Sequence, residues 1–185
     1  MSGHTPPGST DDPDELFDLV DAEDHVIGTV TRGEAHRNPR LLHRSVQVLV
    51  FSSCGKVLLQ KRSATKDLFP GYYCASASGH VAAGDSYQQT AQRELREELG
   101  IAPDAEFKAK MIVCSPMETE ITALFYARSD GPFTFHTVET DGGRWYTLDE
   151  LSQQTQRRTL PLTPAAEAAI EYVLDHRPAS KAEHL

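Results

Sequence analysis

A capped acidic helix with strand-like segments on both sides is the feature that most constrains the fold of this chain. Ser86 can cap its first turn, Gln89 three residues later completes a capping-box pattern, and Gly100 follows the last turn as a stop signal. Apolar residues at helical spacing form a stripe along one side. The pattern predicts an amphipathic helix of about a dozen residues that packs on a sheet.

Strand-like segments occur before and after this helix. Residues 16–21 and 26–30 predict a small N-terminal hairpin, and residues 45–53 and 56–62 predict a longer one rich in β-branched and aromatic side chains. Further strand-like segments are 72–79, 107–114, 121–129 and 144–148, and further helical segments are 148–154 and 163–176. This order predicts an α/β fold, with an α/β/α sandwich around a mixed sheet.

The local composition divides the chain into one domain and two short ends. Residues 1–14 are rich in Pro, Gly, Ser, Thr and Asp and predict a flexible leader, residues 15–178 form the domain, and residues 179–185 form a tail. A chain of 185 residues with 39% hydrophobic residues is ordinary for a single globular domain. There is no long apolar window and no secretory signal, so we expect a cytoplasmic protein without a membrane partner.

The cysteines and the net charge exclude several classes of protein. Cys54, Cys74 and Cys114 are an odd number with wide spacing, which fits neither a disulfide framework nor a close-spaced zinc site. The formal net charge of −9 disfavours nucleic acid as a partner. We therefore expect reduced, unpaired thiols. An acidic chain that handles phosphates would need metal ions and a few local cations.

Three glutamates of the predicted helix lie within an arc of roughly 100°. They are Glu94, Glu97 and Glu98, and their like charges repel unless cations neutralise them. Mg²⁺ and Mn²⁺ prefer carboxylate oxygens and complete their coordination with water and substrate phosphate oxygens. Two interpretations follow from the residues alone: a solvated helix face with Arg93 and Glu97 as an ion pair, or a site for divalent metal ions.

The residues around this helix favour the metal site. Residues 79–101, GHVAAGDSYQQTAQRELREELGI, contain a glycine, five residues, an acid, seven residues, and then Arg-Glu-apolar-x-Glu-Glu-x-Gly-apolar. This stretch resembles the box of the Nudix hydrolase superfamily. The resemblance implies a Nudix-like fold and a divalent-metal-dependent hydrolase of a diphosphate linkage. One position departs, since Asp85 stands where the family usually has Glu, which shortens the reach of the carboxylate by one methylene.

The resemblance also implies a role for each box residue. Glu94, Glu97 and Glu98 would bind one to three Mg²⁺ or Mn²⁺ ions that activate a water molecule for attack on phosphorus. The general base would be Glu98 or a carboxylate later in the chain. The implied catalytic residues are Arg93, Glu97, Glu98, Glu120 and Glu139. The residues implied to support the box are Gly79, Asp85, Arg93 and Gly100.

A second set of residues is similar to the branch of the superfamily that contains type I isopentenyl diphosphate isomerase. The similarity extends over residues 16–150. The isomerases hold a divalent metal with three His and two Glu, and the matching residues are His36, His43, His80, Glu118 and Glu120. The fragment KRSATKDLFPG resembles their diphosphate-binding stretch, with Arg62 and Lys66 as the phosphate-binding cations. The similarity therefore implies a second metal site.

Two departures from the isomerases favour hydrolysis. The isomerases use a cysteine just before the Gly-His pair, and this chain has Ser78, whose hydroxyl is far less acidic than a thiol. They also have an eroded box, often with a basic residue at the position of Glu94, whereas the box is complete here. A non-catalytic nucleotide-sensing module is a further alternative, although such proteins commonly lose the box carboxylates that this chain keeps.

The substrate class follows from the resemblance alone. A nucleoside diphosphate derivative is the default small-molecule substrate in the family. Its base could stack on Phe69, Tyr72 or Tyr73, although aromatic side chains more often pack in cores and loops. Trp145 is expected in the core. Homodimers are frequent among relatives, so a homodimer is the alternative to a monomer.

Overall fold

The computed structural model describes residues 12–66, 68–135 and 140–177. The described residues form nine strands and four helices. In chain order these are β1 (Leu16–Val20), β2 (Val26–Thr31), α1 (Arg32–Ala35), β3 (His43–Phe51), β4 (Val57–Arg62), β5 (Tyr73–Cys74), β6 (Ala77–His80), α2 (Tyr87–Leu99), β7 (Glu106–Cys114), β8 (Thr119–Arg128), β9 (Thr140–Tyr146), α3 (Leu148–Arg157) and α4 (Pro164–Asp175). Most of the predicted leader, the predicted tail and the candidate base Glu139 lie outside the described residues.

A mixed sheet forms the centre of the fold. Five of its strands follow the order β5-β4-β3-β8-β7, while β6 pairs with β3 and β9 pairs with β4. β3 and β8 are parallel neighbours. The other pairings in this sheet are antiparallel. The prediction of a mixed sheet is confirmed.

Helices cover both faces of this sheet. Neighbouring residues on a strand point to opposite faces, so β3 contributes Val48 to one core and Leu49 to the other. Leu95 of α2 packs in the first core. Leu151 of α3 and Ile170 of α4 pack in the second. The described residues therefore form the α/β/α sandwich that the sequence predicts.

The ends of α2 are those predicted from local signals. The Ser86 side chain accepts a hydrogen bond from the backbone N–H of Gln89, whose own side chain accepts from the backbone N–H of Ser86. Gly100 adopts the left-handed conformation with φ of 67°. The helix has 13 residues. Because both ends are set locally, the angular positions of its glutamates are set as well.

The predicted long hairpin pairs only next to its turn. β3 and β4 pair at Val50 with Leu58 and at Phe51 with Val57. At the Val50–Leu58 pair the Ser76 hydroxyl lies between the two strands, where it donates to the Leu58 carbonyl at 2.5 Å and accepts from the Val50 N–H at 2.7 Å, and within the described residues no β3–β4 pairing continues beyond it. Residues 72–79 therefore form two short strands instead of the one strand predicted, and β6 takes the place beside β3.

The predicted N-terminal hairpin is present and leads into a short helix that the sequence did not predict. β1 and β2 are antiparallel. α1 has four residues, too few for a periodic pattern, although Thr31 and Glu34 form a capping box at its start. Phe17 of β1 is fully buried and packs with Val30 and Ala35. Residues 16–36, comprising β1, β2, α1 and His36, are termed the N-terminal segment below.

Three further expectations concern the cysteines, membrane spans and Trp145. Cys54, Cys74 and Cys114 are free cysteines, as predicted, and Cys74 is the buried one. None of the helices in the described part of the chain is both long and apolar enough to cross a membrane. Trp145 packs against the core beneath α2, as expected.

Candidate active site

A cavity of about 690 Å³ collects most of the residues that the sequence singled out. The residues of this kind that line it are His36, Arg62, Lys66, Gly79, His80, Arg93, Glu94, Glu97, Glu98, Glu118 and Glu120. Asp85 is exposed in the turn before α2 and is not part of the cavity wall, and neither is Gly100 at the far end of that helix. The fold thus brings the box glutamates, the histidines and the candidate phosphate-binding cations to one place.

Three imidazoles converge on one carboxylate oxygen of Glu118. The Nε2 atoms of His36, His80 and His43 lie 3.0, 3.5 and 3.8 Å from its Oε2. These four residues are termed the His/Glu cluster, and their ligand atoms all lie within 4.8 Å of one another. Oε1 of Glu120 lies 3.3 Å from Nε2 of His80. Imidazole nitrogen and carboxylate oxygen are a suitable donor set for a divalent transition metal.

The helix end, the strand register and the turn at which these residues lie orient the side chains of the cluster. His36 follows directly after α1, as its C-cap. His43 begins β3 in register with Glu120 on β8. Glu118 lies in the turn before β8, where its backbone N–H donates to the Ser115 hydroxyl at 3.1 Å and its carbonyl accepts from the Ser115 N–H at 2.8 Å. The ligands therefore come from separate elements that meet at one edge of the sheet.

Two buried atoms of the cluster show that a metal ion fits there. His43 is fully buried, and its Nδ1 donates to the Leu41 carbonyl at 3.0 Å. That bond places the proton on Nδ1 and leaves a lone pair on Nε2. Nε2 of His43 and Oε2 of Glu118 have no hydrogen-bond partner among the described residues. Buried polar atoms normally have partners, and one cation would satisfy both.

Ring packing and charge define the environment of the imidazoles. Phe17 stacks on His43 and His80, with ring centroids 5.3 and 4.8 Å apart. Burial lowers the pKa of His43, and the nearby His80 lowers it further. Burial also lowers the pKa of His80, but the neighbouring carboxylates of Glu118 and Glu120 outweigh this effect and raise the pKa to about 9. A bound metal ion would have to displace the proton that His80 holds.

The three box glutamates line the neighbouring wall and have partners within the chain. Nη2 of Arg93 lies 2.9 Å from Oε1 of Glu94, and its Nη1 lies 3.0 Å from Oε2 of Glu97. Oε2 of Glu98 accepts from the Gln60 amide at 2.6 Å and from the Ser78 N–H at 3.3 Å. From the sequence pattern alone, metal ions would have to neutralise the repulsion among these glutamates. In the structure, Arg93 offsets much of that repulsion.

Gly79 leaves room for the carboxylate of Glu94. A Cβ atom built at Gly79 would lie 3.0 Å from Oε2 of Glu94 and closer still to its Oε1 and Cδ atoms. The absence of a side chain at this position therefore permits the close approach. Glu94 is buried, with 7% of its surface exposed, whereas the side chain of Glu97 is 57% exposed. The two glutamates thus offer an inner and an outer carboxylate to the cavity.

The candidate aromatic residues separate into two groups. Phe69 lines the cavity, whereas Tyr72 and Tyr73 do not. Tyr73 packs edge-on against Tyr146 with ring centroids 5.9 Å apart, in the core beneath α3 and α4. Tyr72 is partly exposed and lies against Phe69. Of the three, Phe69 is the ring placed to contact a ligand.

Several residues of the site carry no signal in the sequence. Gln60 belongs to an apolar strand, yet its amide donates to Glu98. Phe17 looks like an ordinary core residue of β1. Contacts of this kind join distant segments, so local patterns do not reveal them.

Comparisons with known proteins agree with this description. Residues 41–166 match the model of the family described as the NUDIX domain. An uncharacterized Nudix hydrolase of Pseudomonas aeruginosa is 34% identical over 163 residues, which cover 87% of this chain and 94% of the relative. An isopentenyl-diphosphate Delta-isomerase of Nocardia farcinica is 44% identical over 85 residues, covering 46% of this chain and 49% of the relative. The crystal structure of DR0079 from Deinococcus radiodurans covers 85% of this chain and 98% of its own, with a TM-score of 0.74 and 25% identity.

Proposed function

This chain belongs to the Nudix family of hydrolases, which act on phosphorus-containing anhydrides, and we propose that it cleaves the diphosphate linkage of a nucleoside diphosphate derivative with Mg²⁺ or Mn²⁺. The observation that carries the proposal is the cavity in which box carboxylates, a metal-suited His/Glu cluster and cations meet. The partner proposed is a small molecule. The net charge of −9 argues against nucleic acid.

Different residues of the cavity would have different roles in such a reaction. Glu94, Glu97 and Glu98 would hold the metal ions, which when bound offset phosphate charge and lower the pKa of a water molecule. Arg62 and Lys66 would contact the diphosphate oxygens, and the planar donor fork of Arg62 suits such oxygens.

Arg93 has a positioning role in this proposal. Its guanidinium contacts Glu94 and Glu97 and also donates to the His80 carbonyl at 3.4 Å. It therefore joins α2 to the strand that ends at the His/Glu cluster. Burial lowers the pKa of Arg93, but Glu94 and Glu97 outweigh this effect and raise it, so the cation is retained.

The proposed general base is Glu98, with Glu120 as the alternative within the described cavity. Glu98 is held by the Gln60 amide and the Ser78 N–H, which fix the orientation of its carboxylate. Glu120 is 7% exposed and lies beside His80. A positioned carboxylate contributes about 10²- to 10⁴-fold to a proton-transfer step. The two candidates can be separated by substituting each with Gln.

A substrate screen with matched variants tests the proposal. Nucleoside diphosphate derivatives, dinucleoside polyphosphates, nucleotide sugars and prenyl diphosphates are incubated with Mg²⁺ or Mn²⁺, and released phosphate or pyrophosphate is measured. We expect Glu98→Gln to lower kcat about 100-fold or more without unfolding the protein. Glu171→Gln, an exposed position on α4, is the control and should leave turnover unchanged. Nucleotide binding without metal-dependent turnover would contradict the proposal and indicate a sensing module.

Isomerisation of isopentenyl diphosphate is the second candidate function. The His/Glu cluster and the similarity to the Nocardia farcinica isomerase favour it. Ser78 replaces the isomerase cysteine, but Cys74 supplies a thiol in the same cavity. Burial and the nearby Glu98 raise the pKa of Cys74 to about 12. Formation of dimethylallyl diphosphate in D₂O, lost in Cys74→Ala, would establish this function, and its absence would exclude it.

A further inference from the structure

The His/Glu cluster depends on a part of the chain that lies outside the match to the family model. That match begins at residue 41, whereas the N-terminal segment ends at residue 36. The segment supplies His36, whose Nε2 lies 3.0 Å from Oε2 of Glu118. It also supplies Phe17, which stacks on both His43 and His80. The cluster is therefore complete only when the N-terminal segment is docked on the sheet.

One end of the segment is joined to the domain by backbone contacts. Phe17 forms an isolated antiparallel bridge with Ala82, and the Leu16 carbonyl accepts from the Ala83 N–H at 2.8 Å. These contacts lie near the start of β1, and at its other end the Val20 N–H donates to the Leu42 carbonyl at 2.9 Å. The turn that follows, between β1 and β2, is joined to the sheet through side-chain interactions.

Asp24 holds that turn. It has a left-handed backbone with φ of 69°, and its side chain is 12% exposed. Its carboxylate accepts from Nε of Arg44 at 2.6 Å, from the hydroxyl of Tyr87 at 3.1 Å, and from Nζ of Lys110. Its backbone carbonyl accepts from Nη2 of Arg44 at 2.7 Å. The three partners belong to β3, α2 and β7, so one carboxylate ties the turn to both layers beneath it.

The surroundings of Asp24 make its charge difficult to replace. The Arg44 guanidinium and the Lys110 ammonium also face the ring of Tyr87, at 5.5 and 4.6 Å from its centroid. Nη1 of Arg44 lies 3.2 Å from Oδ2 of Asp18, a second acid on the N-terminal segment. Removing the acid from such a partly buried network leaves the Arg44 and Lys110 cations with less compensating charge.

We propose that Asp24 is a positioning residue for the metal site. By fixing the turn of the N-terminal segment to β3, α2 and β7, it sets Phe17 and His36 against the two other histidines. The inference rests on the proposed function only in that the His/Glu cluster binds a divalent metal. Residues that orient metal ligands commonly change metal affinity by about 10- to 100-fold when they are substituted.

Cobalt titration of the full-length protein tests the inference. Co²⁺ bound to imidazole and carboxylate absorbs in the visible range, so the spectrum reports the ligand geometry as well as the affinity. We expect Asp24→Asn to weaken Co²⁺ binding about 10-fold and to alter the spectrum, and Asp24→Glu to recover part of both. Thermal unfolding of the metal-free proteins is measured in parallel, because a loss of stability alone would leave the spectrum unchanged.

Asp21→Asn is the matched control because Asp21 lies in the same turn. Its carboxylate contacts His25 and nearby backbone N–H groups of the turn, and among the described residues it shares none of the partners that Asp24 has on the sheet. This variant should bind Co²⁺ like the wild type. Where Asp24→Asn fails to fold, Tyr87→Phe removes one donor to the same carboxylate and should weaken binding by a smaller factor.

The possible results separate the inference from the proposed function. Wild-type affinity and spectrum in folded Asp24→Asn, or in Tyr87→Phe where that variant is used, would overturn the positioning role alone. A wild-type protein whose cobalt spectrum is absent would overturn the metal role of the His/Glu cluster and the inference with it. Hydrolysis by the box glutamates can still be measured in that case.

Discussion

Substitution of Gly79 by Ala isolates the geometric requirement of the box. The added Cβ would lie 3.0 Å from Oε2 of Glu94 and closer to its other carboxyl atoms, so the carboxylate must move by roughly 1 Å to reach ordinary contact distance. The group that must move is the carboxylate at the end of the Glu94 side chain on α2. The backbone at Gly79 does not have a positive φ, so an alanine there causes no backbone strain. We therefore expect the fold to survive.

A shift of this size matters far more for catalysis than for stability. A misplacement of about 1 Å in a reacting site can cost about 100-fold in rate. We expect Gly79→Ala to lower kcat/KM about 100-fold and to raise the Mn²⁺ concentration needed for half-maximal activity. Gly28→Ala is the control, because a Cβ there meets Leu19 Cδ2 at an ordinary 4.0 Å. Equal kcat/KM values for both variants would refute the role given to Glu94.

Three further predictions concern the cluster, the network at Asp24 and the thiols. His43→Gln should weaken Mn²⁺ binding about 10-fold or more, measured by paramagnetic resonance of the free ion, because it removes a buried ligand; unchanged binding would contradict the assignment. Burial raises the pKa of Asp24, but Lys110 and Arg44 outweigh this effect and lower the pKa below its usual 3.8. The contribution of the ionised carboxylate to the free energy of unfolding is therefore present above that value and is lost as the pH falls through the folded pKa. The difference in free energy of unfolding between wild type and Asp24→Asn should therefore shrink below about pH 4. A difference that stays constant with pH would contradict a stabilising role for the Asp24 charge. Iodoacetamide should modify Cys54, whose pKa is lowered by the Ser52 hydroxyl, before Cys74, whose pKa is about 12, and the reverse order by peptide mass mapping would contradict these environments.

The parts of the fold that the sequence predicts well are those with local signals. Ser86, Gln89 and Gly100 set the ends of α2 through contacts with residues close in sequence, so both ends can be predicted from the sequence. The β-branched and aromatic residues of β3 likewise indicate a strand, and both faces of that strand are buried. Local chemistry of this kind places the box glutamates on a helix before any tertiary contact is known.

The parts that the sequence misses arise from contacts between distant segments. The Ser76 hydroxyl separates β3 from β4, and nothing near Ser76 indicates this role. Arg93 of α2 also donates to the His80 carbonyl at the end of β6, a contact that the sequence spacing does not suggest. Asp24 meets Lys110 across 86 positions of the chain. Such contacts depend on how the layers dock, which no single segment encodes.

Isotope labelling of the products tests the central claim most directly, namely that the cavity directs water onto phosphorus with divalent metal ions. The purified protein is incubated with nucleoside diphosphate derivatives and Mn²⁺ in H₂¹⁸O, and the products are analysed by mass spectrometry. The account predicts ¹⁸O in one phosphoryl product, dependent on Mn²⁺ and lost in Glu98→Gln. Absence of metal-dependent label from every diphosphate substrate, in a protein that instead converts isopentenyl diphosphate to dimethylallyl diphosphate, would contradict it.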